Sequence, residues 1–425
     1  MKEYTFDVEA IRSDFPACAL QINGAPIAYL DGPGGSQVPQ VVIDQMNRYL
    51  IEQNANEDGN FKAGMLARGV ETKAREAGAD FLNCDYDEVA FSCSSTQNNF
   101  NLALSYSKKL KPGDEVIITE IDHRCNSAPW KSLERFGCVV KVVRLDPVTQ
   151  QLDFEDYRSK LSDKTKIVAV NWASNALGTV TDVKKYIELA HKVGAITIID
   201  AVHYAAHFPI DVQEIGTDVL VCSPYKWFGP HMGMIYIRKE LLDSIDFNNV
   251  KCDDIAEGAH KLHMGTPQYE ALMGITAAID YIASIGEKYA QYMEEELRGL
   301  SGRRRNIVAG MLAIDEHEQK LAARLRKGLR SIPGVKVWGP AEGQPRTPTV
   351  VWTMDNVAPE EMTMALGKRG INAWHGDFYA VEVIKALGLE DKGGLIRVGM
   401  APYCTDSDID RTLYTVAAVA AEKAR

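Results

Sequence analysis

Between residues 87 and 240, short apolar runs alternate with amphipathic stretches. The runs are Glu88–Ser92, Glu115–Thr119, Val139–Leu145, Lys166–Asn171, Ala195–Asp200, Val219–Cys222 and Gly233–Ile237. Each is short and apolar on both faces, as fully buried strands are, and helix-length segments such as Val183–Val193 separate several of them. The pattern predicts an α/β fold: a mostly parallel seven-stranded sheet with helices on both faces. Ligands of such sheets bind beyond the carboxyl ends of the strands, which draws attention to the polar residues that follow each run.

Past residue 268 the pattern changes. A long helical region covers Tyr269–Lys327, with breaks expected at Gly286 and around Gly299–Gly302. Strand-like Val335–Trp338 and Thr349–Thr353, helix Pro359–Lys368, strand Leu395–Met400 and a helix from Asp406 complete the chain. This predicts a smaller C-terminal α+β domain over residues 291–425. A large domain spans 31–290, and an N-terminal segment, 1–30, is expected to pack with the small domain.

Composition narrows the function classes. The chain has 425 residues, 46% hydrophobic and 25% charged, enough for a large core. Its formal net charge of −11 argues against a nucleic-acid partner, which would require clustered cations. The one dense basic run, Arg303-Arg304-Arg305, fits a solvated helix face. No apolar run approaches the roughly 20 residues needed to span a bilayer, and acidic residues interrupt the N-terminal stretch where a signal peptide is apolar. The eight cysteines (18, 84, 93, 125, 138, 222, 252 and 404) form no C-x-x-C pair, so neither a zinc site nor a disulfide framework is indicated. Reduced thiols and a cytoplasmic location are expected.

Three features follow strand ends. Asp200 closes Ile198-Ile199-Asp200-Ala201 and places a carboxylate in the ligand crevice, although Asp there also serves as a helix N-cap. Lys226 stands in Cys222-Ser-Pro-Tyr-Lys226-Trp-Phe-Gly-Pro230, among aromatic and apolar residues. Desolvation there favours the neutral amine that attacks carbonyls; the plainer reading is a snorkelling surface lysine. Asp122-His123 follows the run ending at Thr119. Together these supply what pyridoxal phosphate requires: a lysine for the Schiff base, a carboxylate for the pyridinium nitrogen and a ring to stack on the pyridine. Ser94-Ser95-Thr96 lies between a strand and a helix start, where backbone N–H groups favour a phosphate.

From Tyr29-Leu30-Asp31 to Tyr403 these motifs occur in the order found in the class V aminotransferase superfamily of fold type I. The chain resembles the cysteine desulfurase-like branch. The resemblance implies Lys226 as Schiff-base lysine, Asp200 as partner of the pyridinium nitrogen and His123 as the stacking, proton-shuttling histidine. It places Asn175 and His203 near the cofactor's phenolic oxygen, with Ser95, Thr96 and Ser223 on its phosphate. Thr266, in Gly265-Thr266-Pro267, would reach the phosphate of a neighbouring subunit in a homodimer. Arg397, in Ile396-Arg397-Val398-Gly399, would clamp the α-carboxylate of an amino-acid substrate, together with Asn175.

One departure bears on the reaction. Desulfurases carry a nucleophilic cysteine on a loop shortly before this arginine; here the segment reads Gly370-Ile-Asn-Ala-Trp374-His375-Gly-Asp377-Phe378-Tyr379-Ala380, with Tyr379 about where the cysteine would stand. Cys125, Cys222 and Cys404 occupy other settings. The resemblance therefore implies β-elimination from a cysteine derivative by a C–S lyase, with His375 or Tyr379 near the leaving group. A class V aminotransferase and an amino-acid epimerase are the alternatives, and a non-catalytic binding protein of the same fold the remote one. His203 and His207 have the i, i+4 spacing of a zinc pair, but the segment lacks a Glu base and an evident third ligand. Gly32-Pro33-Gly34-Gly35 lacks the Gly-Lys-Ser/Thr ending of a phosphate-binding P-loop and in this family would border the substrate pocket.

Overall fold

The computed structural model describes residues 4–57, 59–249 and 258–423; Cys252 and the first three residues lie outside them. The central sheet is built from β1 (Val89–Ser92), β2 (Glu115–Thr119), β3 (Val139–Val143), β4 (Thr165–Asn171), β5 (Ile196–Asp200), β6 (Val219–Cys222) and β7 (Gly233–Ile237). Their order across the sheet is β1-β7-β6-β5-β4-β2-β3. All neighbouring pairs are parallel except those of β7, which runs antiparallel to β6 and β1. The reason is length: residues 223–232 join β6 to β7, too few for the helical crossover a parallel pair needs. This short return carries Lys226.

The helices that matter for the site are α1 (Val70–Leu82), α2 (Ser95–Tyr106), α3 (Arg124–Lys131) and α4 (Val183–Lys192), followed by α5 (Tyr269–Tyr289), α6 (Gly302–Arg330), α7 (Pro359–Gly367) and α8 (Asp406–Lys423). Strands β8 (Val335–Trp338), β9 (Thr349–Met354), β10 (Trp374–Gly376) and β11 (Leu395–Gly399) form an antiparallel sheet ordered β8-β9-β11-β10. Residues 8–30 touch both parts: Phe15 packs edge-on against Phe228 and Tyr281, and other contacts reach the C-terminal part. Arg12 Nη1 donates to Tyr403 O at 2.6 Å, and Ala28–Tyr29 pairs in parallel with Ile371–Asn372.

Two sequence expectations are corrected. The run Arg303-Arg304-Arg305 is not a solvated face: Arg304 donates to Phe81 O at 2.8 Å and Ile210 O at 2.6 Å, and Arg303 pairs with Asp80 and Asp280. Gly286 does not break the helical region: α5 runs through it to Tyr289, and the interruption falls at residues 290–301. Gly286 instead allows α5 and α6 to touch backbone to backbone. A Cβ there would sit 1.8 Å from Asn306 O, and one on Gly310 would sit 2.2 Å from Ile282 O. Among the described residues, no helix is long and apolar enough to cross a membrane.

Candidate active site

At the carboxyl edge of β1, β2, β4, β5 and β6 the strand-end residues surround a cavity of about 980 Å³, closed on the far side by β10, the following loop and β11. Ser95, Thr96, His123, Asn175, Asp200, His203, Ser223, Lys226, His375, Tyr379 and Arg397 all line it. Thr266 does not; it is exposed on the segment that leads into α5.

Each side chain is placed by local chemistry. Asp122 knits β2 to α3: its carboxylate accepts from Thr119 N at 2.9 Å, Thr119 Oγ1 at 2.7 Å and Asn126 Nδ2 at 2.8 Å. The neighbouring His123 caps α3, its Nδ1 accepting from Cys125 N at 3.0 Å. That bond leaves the neutral ring's proton on Nε2. Burial, then Lys226 and Arg397, hold the imidazole down to about 4, so it is neutral at neutral pH.

Asp200 ends β5, buried. Oδ1 accepts from Val202 N at 2.9 Å and Oδ2 from the Cys125 thiol at 3.3 Å. Burial raises its carboxyl above the usual range, opposed by the Val202 N–H, Cys125 and Lys226. A cationic or donor partner from the cavity would restore the carboxylate. Lys226 Nζ contacts Pro33 O and lies 4.9 Å from the Tyr225 ring centroid. It lines the cavity. Burial and Arg397 lower the amine to about 7, with Cys125 and Asp200 pulling the other way.

The opposite wall is held as firmly. Arg397 Nη1 donates to Asn175 O at 2.8 Å, and the Phe378 ring lies 4.0 Å from the guanidinium carbon. Burial brings Arg397 down to about 9, still cationic at neutral pH. Asn175 Nδ2 donates to Phe378 O at 2.8 Å, and Arg124 N donates to Tyr379 O at 2.9 Å. These bonds pin a loop in which Phe378 and Tyr379 both have positive φ, 54° and 59°. Such strain persists only where the surroundings hold it. Tyr379 is 66% exposed at the cavity mouth, its ring 5.5 Å from that of His123. His375 Nδ1 meets Thr363 Oγ1 at 2.9 Å.

His203 and His207 do not form a zinc pair. His203 Nε2 lies 2.8 Å from Thr349 Oγ1 and 3.1 Å from Thr347 Oγ1, whereas His207 Nδ1 lies 2.7 Å from Glu318 Oε2. Burial pushes Glu318 well above the carboxylate range and His207 down to about 4, so this pair is neutral.

The lining fits pyridoxal phosphate. Four buried polar atoms on it have no protein partner: Asn171 Oδ1, Asn175 Oδ1, His203 Nδ1 and Arg397 Nε. Across the cavity, Ser95 Oγ and Ser223 Oγ meet at 2.8 Å where α2 begins, behind its N-cap Ser94. Gly233 makes this possible, because a Cβ there would lie 2.4 Å from Ser95 N. Sequence reading missed Gly233, Pro33 O, Arg124 N and the Cys125 thiol on Asp200. Three of these act through backbone atoms or a missing side chain, which residue type does not reveal.

The model for the family described as aminotransferase class-V matches residues 28–303 and 307–412. The chain belongs to the class V aminotransferase family. Members are pyridoxal-phosphate enzymes, and this one is cysteine desulfurase-like. It is 32% identical to "Aminotransferase-like protein FGM3" of Gibberella zeae, over 97% of this chain and 98% of that protein. A "Cysteine desulfurase" of Synechococcus elongatus is 31% identical over 95% of this chain, which spans only 62% of that relative's length. A cysteine desulfurase from Thermococcus onnurineus, solved in its apo form, superposes with a TM-score of 0.85 at 24% identity, covering 99% of this chain and all of that one. The fold is therefore that of fold type I class V enzymes.

Proposed function

We propose that this class V enzyme is a C–S lyase that eliminates the β-sulfur of a cysteine derivative without a protein persulfide. One observation carries the reading: Lys226, Asp200 and Arg397 line one cavity together with Tyr379, which by resemblance stands about where desulfurases carry their nucleophile. Cys125, the one thiol among the described lining residues, is buried and hydrogen-bonded to Asp200, and burial pushes its pKa well up. A persulfide carrier needs the opposite: an accessible, easily ionised sulfur.

The proposed roles follow the geometry. Ser95, Thr96 and Ser223 would hold the cofactor's phosphate at the start of α2, Asp200 its ring nitrogen, and Asn175 and His203 its phenolic oxygen, with His123 against the ring. Bound there, pyridoxal phosphate supplies an electron sink for the pair left at the substrate's α-carbon. Arg397 and Asn175 orient the α-carboxylate. Lys226 Nζ, neutral for half the molecules near pH 7, takes the α-proton. As the Cβ–S bond breaks, the sulfur leaves as a thiol, protonated from His375, Tyr379 or water at the mouth. The unsaturated amine left behind hydrolyses to pyruvate and ammonia.

We further propose a cytoplasmic homodimer. Phe100 and Leu104 on α2 are exposed, as is Met264, whose sulfur meets Asn101 of the same helix, and Thr266 two residues on is exposed too. The described cysteines are free, as a reducing compartment keeps them. The division at residues 30 and 290 is supported by the change from parallel to antiparallel sheet.

The test is product analysis with cysteine S-conjugates and plain amino acids. Pyruvate and thiol in equal amounts, undiminished after alkylation of the exposed Cys93, are expected. A keto acid formed only with an amino acceptor would make the enzyme a transaminase, and loss of optical purity alone an epimerase.

A further inference from the structure

Away from the active site, Glu71 on α1 meets His260 and His263 from the turn Gly258–Leu262 and the residue after it. Glu71 Oε1 lies 3.1 Å from His260 Nδ1 and 3.4 Å from His263 Nδ1, and all three atoms fall within 4.8 Å of one another. Glu71 is 93% buried and its Oε1 makes no well-aligned hydrogen bond, although both imidazoles stand within ion-pairing distance of it. His263 Nε2 is likewise buried without a partner. Burying a carboxylate and an imidazole costs several kcal/mol unless something compensates them. Here the two imidazoles and Arg75 compensate Glu71 electrostatically, but no aligned hydrogen bond satisfies Glu71 Oε1 or His263 Nε2.

Those separations match another arrangement. Ligands on a tetrahedral ion with bonds of about 2.0–2.1 Å stand about 3.3 Å apart along each edge. We propose that Glu71, His260 and His263 bind a divalent transition-metal ion such as Zn²⁺. Two imidazoles and one carboxylate select this class over Mg²⁺ or Ca²⁺, which favour all-oxygen shells. Arg75, one turn along α1, is the nearest opposing charge. Its guanidinium is engaged by Tyr86 O at 3.1 Å, Val89 O at 3.0 Å and Asp87 Oδ1 at 3.4 Å. His260 is the most exposed ligand and provides the entry path, and water completes the shell. The ion clamps α1 to the turn that leads into Gly265-Thr266-Pro267. The site is independent of the reaction proposed above.

The experiment uses untagged, chelator-washed holoenzyme and Zn²⁺ or Co²⁺ alone. Competition against a chromophoric chelator is expected to show one equivalent of Zn²⁺ per chain. Affinity should fall at least tenfold in His263→Ala and Glu71→Gln. Cobalt should give visible bands of nitrogen and oxygen ligation that His263→Ala abolishes. Because Glu71 is buried, the half-exposed His260→Ala serves as the variant least able to disturb folding; it too should lose the ion with an unchanged circular dichroism spectrum. Absence of a bound equivalent at micromolar metal, or an affinity in His260→Ala and His263→Ala equal to that of the unsubstituted enzyme, would overturn the proposal.

Discussion

At the scale of single residues, Lys226 shows how burial sets reactivity. The amine is surrounded by protein and faces Arg397, so its protonated form is disfavoured. A lysine lowered to about 7 is about one-tenth neutral at pH 6, half neutral at pH 7 and nearly all neutral at pH 8. The cofactor-free enzyme should therefore capture pyridoxal phosphate at a rate that rises up to pH 7 and levels off above pH 8. An unperturbed lysine, near 10.4, would still gain about tenfold per pH unit there; stopped-flow absorbance across pH 6–9 separates the two. The same surroundings show what sequence can reveal. Lys226, Asp200 and His123 are each ambiguous in sequence, and what could be read was their common place near the carboxyl ends of apolar runs, which the structure brings to one cavity. Cys125 was not legible: that its thiol faces Asp200 depends on how α3 is seated, which Asp122 decides through Thr119 and Asn126.

At the scale of elements, strand boundaries were legible almost to the residue. Buried strands are short, and polar residues or glycine end them. Of the two breaks expected in the helical region, the one around Gly299–Gly302 falls at the end of the interruption, whereas the one at Gly286 does not occur, because glycine is ambiguous: it weakens a helix, but it also lets two helices approach. Gly286 does the second. Gly286→Ala would drive a methyl into Asn306 O, and an overpacked contact of this kind costs about 1–3 kcal/mol. Thermal denaturation should fall by several degrees, whereas Gly299→Ala, where a Cβ meets nothing, should show only the smaller cost of its left-handed backbone. An equal fall in both would mean that the α5–α6 contact is not tight. The loop after β10 is the other element sequence could not resolve. Its two left-handed residues are aromatic, and the bonds from Asn175 and Arg124, with the Asp377 carboxylate on Tyr379 N, hold that shape.

For the whole molecule, the α/β architecture with a mostly parallel sheet followed from the spacing of apolar runs alone, whereas the antiparallel β7 came from the structure, where the short connection before it accounts for its direction. Association between chains is not encoded in that pattern. An exposed apolar face on α2, beside the phosphate end of the cavity, is the surface a second copy would cover. Light scattering after size exclusion should give twice the chain mass, and Phe100→Asp with Leu104→Asp should yield monomers that hold the cofactor less tightly. A wild-type monomer with full cofactor affinity would refute the shared site.

The central claim is that Lys226 carries the cofactor, and it can be read directly. Reducing the holoenzyme with borohydride fixes the linkage, and peptide mass spectrometry locates it. The account predicts one phosphopyridoxyl group per chain, on the peptide containing Lys226, and neither that adduct nor visible absorption in Lys226→Ala. A modified lysine elsewhere, or none, would contradict it.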